Sequence, residues 1–162
     1  LLLDLASGLI RDYTGQHITR ATTTAPLRGC WTDRLILPQR PAVSVAAVHM
    51  DDVELAEGSG WRFDGIDSLL RGPRSERLDG PDIIPGGHWG GPSTTIKVTY
   101  THGWERIPDS VKGVCLAAAA RAAANPDGVT SETVDGYSQS FAREKGVALT
   151  AGELESLHWL IR

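Results

Sequence analysis

Between Pro108 and Asn125 the chain reads PDSVKGVCLAAAARAAAN, and after Asp109 only Lys112 and Arg121 carry charge. Pro108 suits the first turn of a helix, where its missing N–H is not needed; Asp109 complements the helix dipole, and Asn125-Pro126 stops the run. The expected helix has roughly four to five turns. Its two cations fall about half a turn apart, so no broad polar face exists. Such a helix must be covered on more than one side, and Ala117–Ala120 with Ala122–Ala124 keep its surface shallow enough for a neighbouring backbone to approach, from the same chain or from another copy.

The flanking sequence restricts the partners of this helix. In the first fifteen residues Leu2, Leu5, Ala6, Leu9, Ile10 and Tyr13 recur at three- and four-residue steps, and Gly15 follows as a stop, which predicts an amphipathic helix. From Gln16 the run QHITRATTTA is rich in β-branched residues, and RLILP, AVSVAAVHM, VELAEG, WRFDG and DSLLRG continue as short strands, with Asp51-Asp52 as a hairpin turn. Residues 72–95 gather Gly, Pro, Ser and Asp and predict a long exposed loop. TIKVTYTHGW alternates Ile96, Val98 and Tyr100 against Lys97, Thr99 and Thr101, a half-buried strand that leads into the Ala-rich helix. ETVDGYSQSFA is extended in character. Thr150-Ala-Gly-Glu153 is a capping-box pattern ahead of Leu154, Leu157, Leu160 and Ile161 at helical spacing.

A length of 162 residues with 41% hydrophobic residues suits one domain. The expected class is α+β: a small helical bundle made of the N-terminal helix, the central Ala-rich helix and a C-terminal helix at residues 150–162, with residues 35–103 as a β-rich insertion in a single domain spanning 1–162. The net charge of -4 is spread along the chain and forms no basic nucleic-acid footprint. A mildly acidic surface repels phosphates, which suits a protein that DNA slides past rather than one that grips it. The opening LLLDLASGLI carries Asp4, has no preceding basic region and no small-residue cleavage site, so it does not read as an export signal. Nor does any stretch reach the ~20 apolar residues of a membrane span. A soluble, intracellular protein is expected, and the missing initiator Met points to a start after a few removed residues.

Reactive groups are scattered. Cys30 and Cys115 stand far apart without a CxxC or a histidine at metal spacing, and two buried thiols are expected. His17, His49, His88, His102 and His158 fall one to an element without a HExxH pair. His49, Asp51 and Asp52 could ligate a metal only by converging with a further group; a turn explains them as well. No GxSxG or SxxK sits at a strand-to-helix elbow, and Gly58-Ser-Gly60 lacks the third glycine and the helix of a dinucleotide loop. Asp64 with Asp67, and Asp79 with Asp82, read as solvated turn pairs. No cofactor and no catalytic residue are expected. Core packing is expected for most of Trp31, Trp61, Trp104 and Trp159, whereas Trp89, in the polar HWGG segment, either pins its loop or contacts a partner.

Taken in order, IRDYTGQHI, LPQRPAVSVAAV, VTYTHGWERIPDSVKGVCLAAAARAAANPDGV, SETVDGYSQSF and the Leu-rich final helix resemble the head-to-tail connector proteins, also called adaptor or head-completion proteins, of long-tailed bacteriophages. The resemblance spans most of the chain, is best in the N-terminal helix and from Thr95 to Phe141, and rests on no single diagnostic motif. It implies a homo-oligomeric ring, commonly dodecameric, in the virion neck after assembly in the host cytoplasm. That ring would dock under the portal protein, bind a stopper or tail-completion protein below, and let the genome DNA pass its lumen without specific binding or membrane contact. It carries over no catalytic residues. Within it, Tyr137, Phe141, Leu157, Trp159, Leu160 and Ile161 are candidates for the portal or subunit interface, Val114, Ala118 and Ala122 for ring packing, and Trp89 for anchoring a partner loop. The alternatives are a tail terminator or other neck component and, in another class, a β-rich carbohydrate-binding module suggested by the tryptophans; a small hydrolase lacks an organised nucleophile or base.

Overall fold

The computed structural model describes residues 1–72, 87–125, 131–134, 137–140 and 146–161, a mixed α+β chain with antiparallel sheets. It divides into two compact units, Leu1–Ile18 with Arg106–Arg162, and Thr19–Glu105.

The first unit is mainly helical. Helix α1, Leu2–Thr14, buries Ala6, Ile10 and Thr14 at four-residue steps, and Gly15 ends it in the left-handed conformation (φ 66°) with its N–H donating to Arg11 O at 2.8 Å. Helix α2, Asp109–Ala124, starts one residue later than Pro108 suggests, because Pro108 keeps an extended ψ of 139° and caps the helix instead. Ala6 of α1 meets Ala118 and Ala119 of α2, with Leu2, Cys115, Val147 and Leu149 packed around them. Small side chains at this seam bring the two helices close but remove little apolar area from water per residue. Strands β8, Ser131–Val134, and β9, Tyr137–Ser140, pair as an antiparallel hairpin. Helix α3, Ala151–Leu157, has the expected capping box: Glu153 N–H donates to Thr150 Oγ1 at 3.3 Å, and Thr150 N–H donates to Glu153 Oε2 at 2.9 Å. A 3-10 turn, His158–Leu160, follows.

The second unit holds two sheets. Strands β1, Ala21–Arg28, β3, Ala42–Met50, β4, Val53–Glu54, and β7, Thr95–His102, form one with order β1-β7-β3-β4; β2, Arg34–Ile36, β5, Trp61–Phe63, and β6, Ser68–Arg71, form the other with order β2-β6-β5. Alternation on β7 buries Ile96, Val98 and Tyr100 completely. These join Val48 of β3 and, from the other sheet, Leu35, Trp61 and Leu69 in one core that also contains Trp89. The Asp51-Asp52 turn has φ 48° and 65°, the two left-handed residues of a type I′ hairpin, and the Asp51 carboxylate accepts the Thr95 N–H at 2.9 Å. Strand β1 is an edge. The Gly29 N–H donates to Thr94 O at 3.1 Å, and the pairing with β7 continues without a register shift, so odd-numbered residues bond inward and even-numbered N–H groups point outward. Pro26 falls on the outward side, where a missing N–H interrupts no bond to β7 and guards the edge against further pairing.

Two expectations fail in detail. Cys30 is exposed, because it lies in the loop after β1, and Cys115 is only half-buried beside Ser7 Oγ at 3.4 Å on the alanine seam, too thin to enclose a thiol. Of the long polar segment, residues 73–86 lie outside the described residues, together with Asp79 and Asp82; residues 87–94 are tied to the core through Trp89.

Candidate assembly surfaces

Among the described residues, three arrangements concentrate polar bonds and exposed apolar surface. At the end of α2, Arg121 presents its fork to Glu153, with Nη1 to Oε1 at 2.7 Å and Nη2 to Oε2 at 2.8 Å, while Nη2 also donates to Ala148 O at 2.9 Å. A bidentate guanidinium–carboxylate pair of this kind is short, directional and partly screened from water. The Arg121 bonds outweigh burial and, with the Thr150 N–H, hold the Glu153 carboxyl down to about 2. One carboxylate therefore caps α3 and fastens it to α2. The single charge in the later part of α2, which leaves the helix with no polar face, is thus consumed internally.

In the second unit, Asp64 organises the β5–β6 turn. Burial alone would raise its carboxyl; the Ser68 hydroxyl and N–H, Arg34 and the Ile66 N–H outweigh burial and hold it far below the usual carboxylate range. Arg34 Nη2 reaches Asp64 Oδ2 at 2.8 Å, and its Nε donates to Ser68 Oγ at 2.6 Å. Asp67 pairs with Arg40. The Asp64 and Asp67 carboxylates are therefore turn and ion-pair groups, and Asp52 pairs with Lys97 at 2.7 Å. Among the described residues no three metal-ligating side chains gather.

The third arrangement is apolar surface. On α2 the buried residues are Val111, Val114, Ala118, Ala119 and Ala122, so the three positions assigned to ring packing, Val114, Ala118 and Ala122, face inward. The opposite side, Gly113, Leu116, Ala117, Ala120, Ala123 and Ala124, is exposed, with Leu116 59% accessible. An outward apolar stripe about three turns long is uncommon on a helix that works alone. Of the candidate interface residues, Leu157 and Leu160 are buried, Ile161 is half-buried and Trp159 is 55% exposed. Tyr137 opens β9; Phe141 lies outside the described residues.

The tryptophans separate into two groups. Trp89 is fully buried, and its indole N–H donates to Asp33 O at 3.0 Å and Leu69 O at 3.2 Å, with the Arg71 guanidinium 5.6 Å from its ring. Trp61 is buried with its N–H on Leu55 O at 2.9 Å. Trp31, expected in the core, is 68% exposed and has φ 56°, a backbone value that bulky residues rarely adopt. Sequence reasoning missed this display; the glycines on either side, Gly29 and the Gly90-Gly91 pair, were the available signal.

No protein-family model and no curated protein matches the sequence. Solved structures do match its fold. A chain of the virion of a native gene transfer agent particle superposes with a TM-score of 0.57 at 17% identity over 96% of this chain and 72% of that chain. A chain from the neck of the native particle, computed with C12 symmetry, gives 0.57 at 18% identity over 99% and 79%. A chain from the neck of the empty particle, computed with C6 symmetry, gives 0.57 at 16% identity over 96% and 72%. Likeness at this identity establishes a shared fold, which extends across both units of the chain.

Proposed function

We propose that this chain is a structural, non-catalytic subunit of the neck of a tailed, phage-like particle, and within it the adaptor: a ring that docks on the portal, accepts a stopper or tail-completion protein, and passes the genome through its lumen. The observation that carries the proposal is the fold likeness to neck chains over nearly the whole length. The outward apolar face of α2 supports it, since a ring subunit needs apolar surface that only a neighbouring copy covers. The net charge of -4 suits a lumen that DNA traverses. The helical unit, with α1, α2 and α3 as a small bundle, is the part we assign to ring contacts, and Trp159 with Ile161 to the portal side.

The carbohydrate-binding alternative draws on the tryptophans and the strand-rich middle, yet Trp61 and Trp89, in that middle, are committed to the core through both burial and N–H bonds. A tail terminator remains the competing neck role, and portal attachment separates the two. Removing residues 150–162 would strip Glu153 from Arg121 and Leu157 from the core, so its effect on attachment would be indistinguishable from unfolding. Trp159→Ala avoids that problem. In a pull-down with portal rings the wild-type chain is retained and Trp159→Ala is depleted at an unchanged melting temperature; failure of the wild-type chain to bind portal rings would overturn the adaptor assignment.

A further inference from the structure

The sheet unit, Thr19–Glu105, is one unbroken stretch, whereas the helical unit is made of two, so the chain passes from one unit to the other twice, between Ile18 and Thr19 and between Glu105 and Arg106. Both passages leave the sheet unit at one place. Just beyond the Ala21–His102 pair that closes the β1–β7 register, a bridge joins Thr19 to Trp104, and the Arg20 N–H donates to Trp104 O at 3.1 Å. Arg20 Nη1 also meets Glu105 Oε2 at 3.1 Å, an exposed pair that orients the two strands more than it strengthens them. Gly103 fits here because it carries no side chain. Its φ of 86° lies in the left-handed region, and a Cβ would stand 2.4 Å from Thr19 O. The Gly103 N–H donates to Pro41 O at 2.9 Å, which ties the exit strand to the approach of β3. Beside it the buried His102 has Nε2 3.0 Å from Thr23 Oγ1. Segments around Thr19, Pro41 and Gly103, distant in sequence, are thus drawn together where the chain leaves, by bonds that lie within the sheet unit.

Local opening starts where little apolar area is buried and spreads until it meets a cooperative block. The alanine seam of the helical unit buries little, and the aromatic core of the sheet unit buries much, so the helices open first. Their loosened ends then pull on the sheet unit at Thr19 and Glu105. Unjoined ends at those positions would let the opening run into the edge strand β1 and into β7. We infer that the bonds around Gly103 form an insulating clasp, which confines opening of the helical unit to that unit, so that α1 and α2 separate and re-form while both sheets stay folded. This device is independent of the adaptor reading and holds for the chain by itself.

The test is amide hydrogen exchange of the full chain, read residue by residue by NMR. Ala118→Asp puts a carboxylate into the alanine seam and should speed exchange in α1 and α2 about a hundredfold or more, while Arg20, Val98, Tyr100 and Gly103 stay within about threefold of the wild type. Arg121→Met, which cuts the joint between α2 and α3, serves if the first variant does not fold, and should give the same pattern at about thirtyfold. Gly103→Ala weakens the clasp and alone should speed the amides at positions 20 and 103 about tenfold. Combined with either seam variant, it should let the opening spread, so that Ala21 and His102 exchange faster than the product of the two separate effects. Val98 and Tyr100 accelerating in step with the α2 amides in a seam variant alone would show one cooperative unit and overturn the inference. A combined effect at Ala21 and His102 no larger than the product would show that the clasp is not the barrier.

Discussion

The two units solve the same problem, burying apolar surface, with opposite materials. The sheet unit encloses Trp61, Trp89 and Tyr100 between two sheets and ties each polar tip to backbone: both indole N–H groups donate to carbonyls, and the Tyr100 hydroxyl accepts the Gln39 N–H at 2.9 Å. The helical unit joins alanines and fastens α2 to α3 through the Arg121–Glu153 ion pair, leaving half of α2 apolar and exposed. Large aromatic groups bury much area per residue, whereas alanines bury little, so the sheet unit has the larger core of the two. Under the ring reading proposed above, that exposed apolar half, more than any reactive group, is where a second copy would dock.

The contrast can be broken most forcefully at Trp89. Replacing it by alanine leaves a cavity and takes one donor from each of the Asp33 and Leu69 carbonyls, and should cost about 3–5 kcal/mol in chemical denaturation of the chain, with loss of the near-ultraviolet signal of the sheet unit. If the loss were only that of a surface residue, the claim of a larger, aromatic core in the sheet unit would fall. Arg121→Met should cost about 2 kcal/mol, because it leaves the Glu153 carboxylate partly buried without its fork. The same pair predicts a pH dependence with a definite sign. Glu153 is held at about 2 against an ordinary 4.5, so its contribution is complete above about pH 4.5 and lost as the pH falls toward 2. Stability measured from pH 5 to pH 2 should therefore fall less steeply in Glu153→Gln than in the wild type.

Smaller effects test the two surfaces. Leu116→Asp should leave the melting temperature nearly unchanged, within about 0.5 kcal/mol, while preventing copies from associating in sedimentation; equal association would remove the α2 face from the ring contact. At the β3–β4 turn, replacing Asp51-Asp52 by Asn-Gly keeps an acceptor for the Thr95 N–H and relieves the left-handed second residue. A rise of about 3 °C in the thermal midpoint is expected.

Much of the fold was legible because it follows from local periodicity. The alternation of Ile96, Val98 and Tyr100, the Thr150–Glu153 box, the Gly15 stop and the spacing of the N-terminal leucines each report a neighbour within a few residues, and each appears where the pattern puts it. The surfaces were less legible. That α2 lacks a polar face is written in its sequence, but which half turns inward depends on where α1 and the residues around Val147 dock. Composition cannot tell Val114 from Leu116.

The sequence by itself determined the elements, the apolar character of α2 and the mild negative charge, because these depend on residue type and on spacing along a helix or strand. Only the tertiary structure decided that Arg121 and Glu153 form one joint, that Trp89 is core and Trp31 is display, and that Val114, Ala118 and Ala122 face inward while Leu116 faces out. Those outcomes rest on contacts between residues distant in sequence, where a glycine across a loop or an alanine on another helix settles which side of a ring meets water.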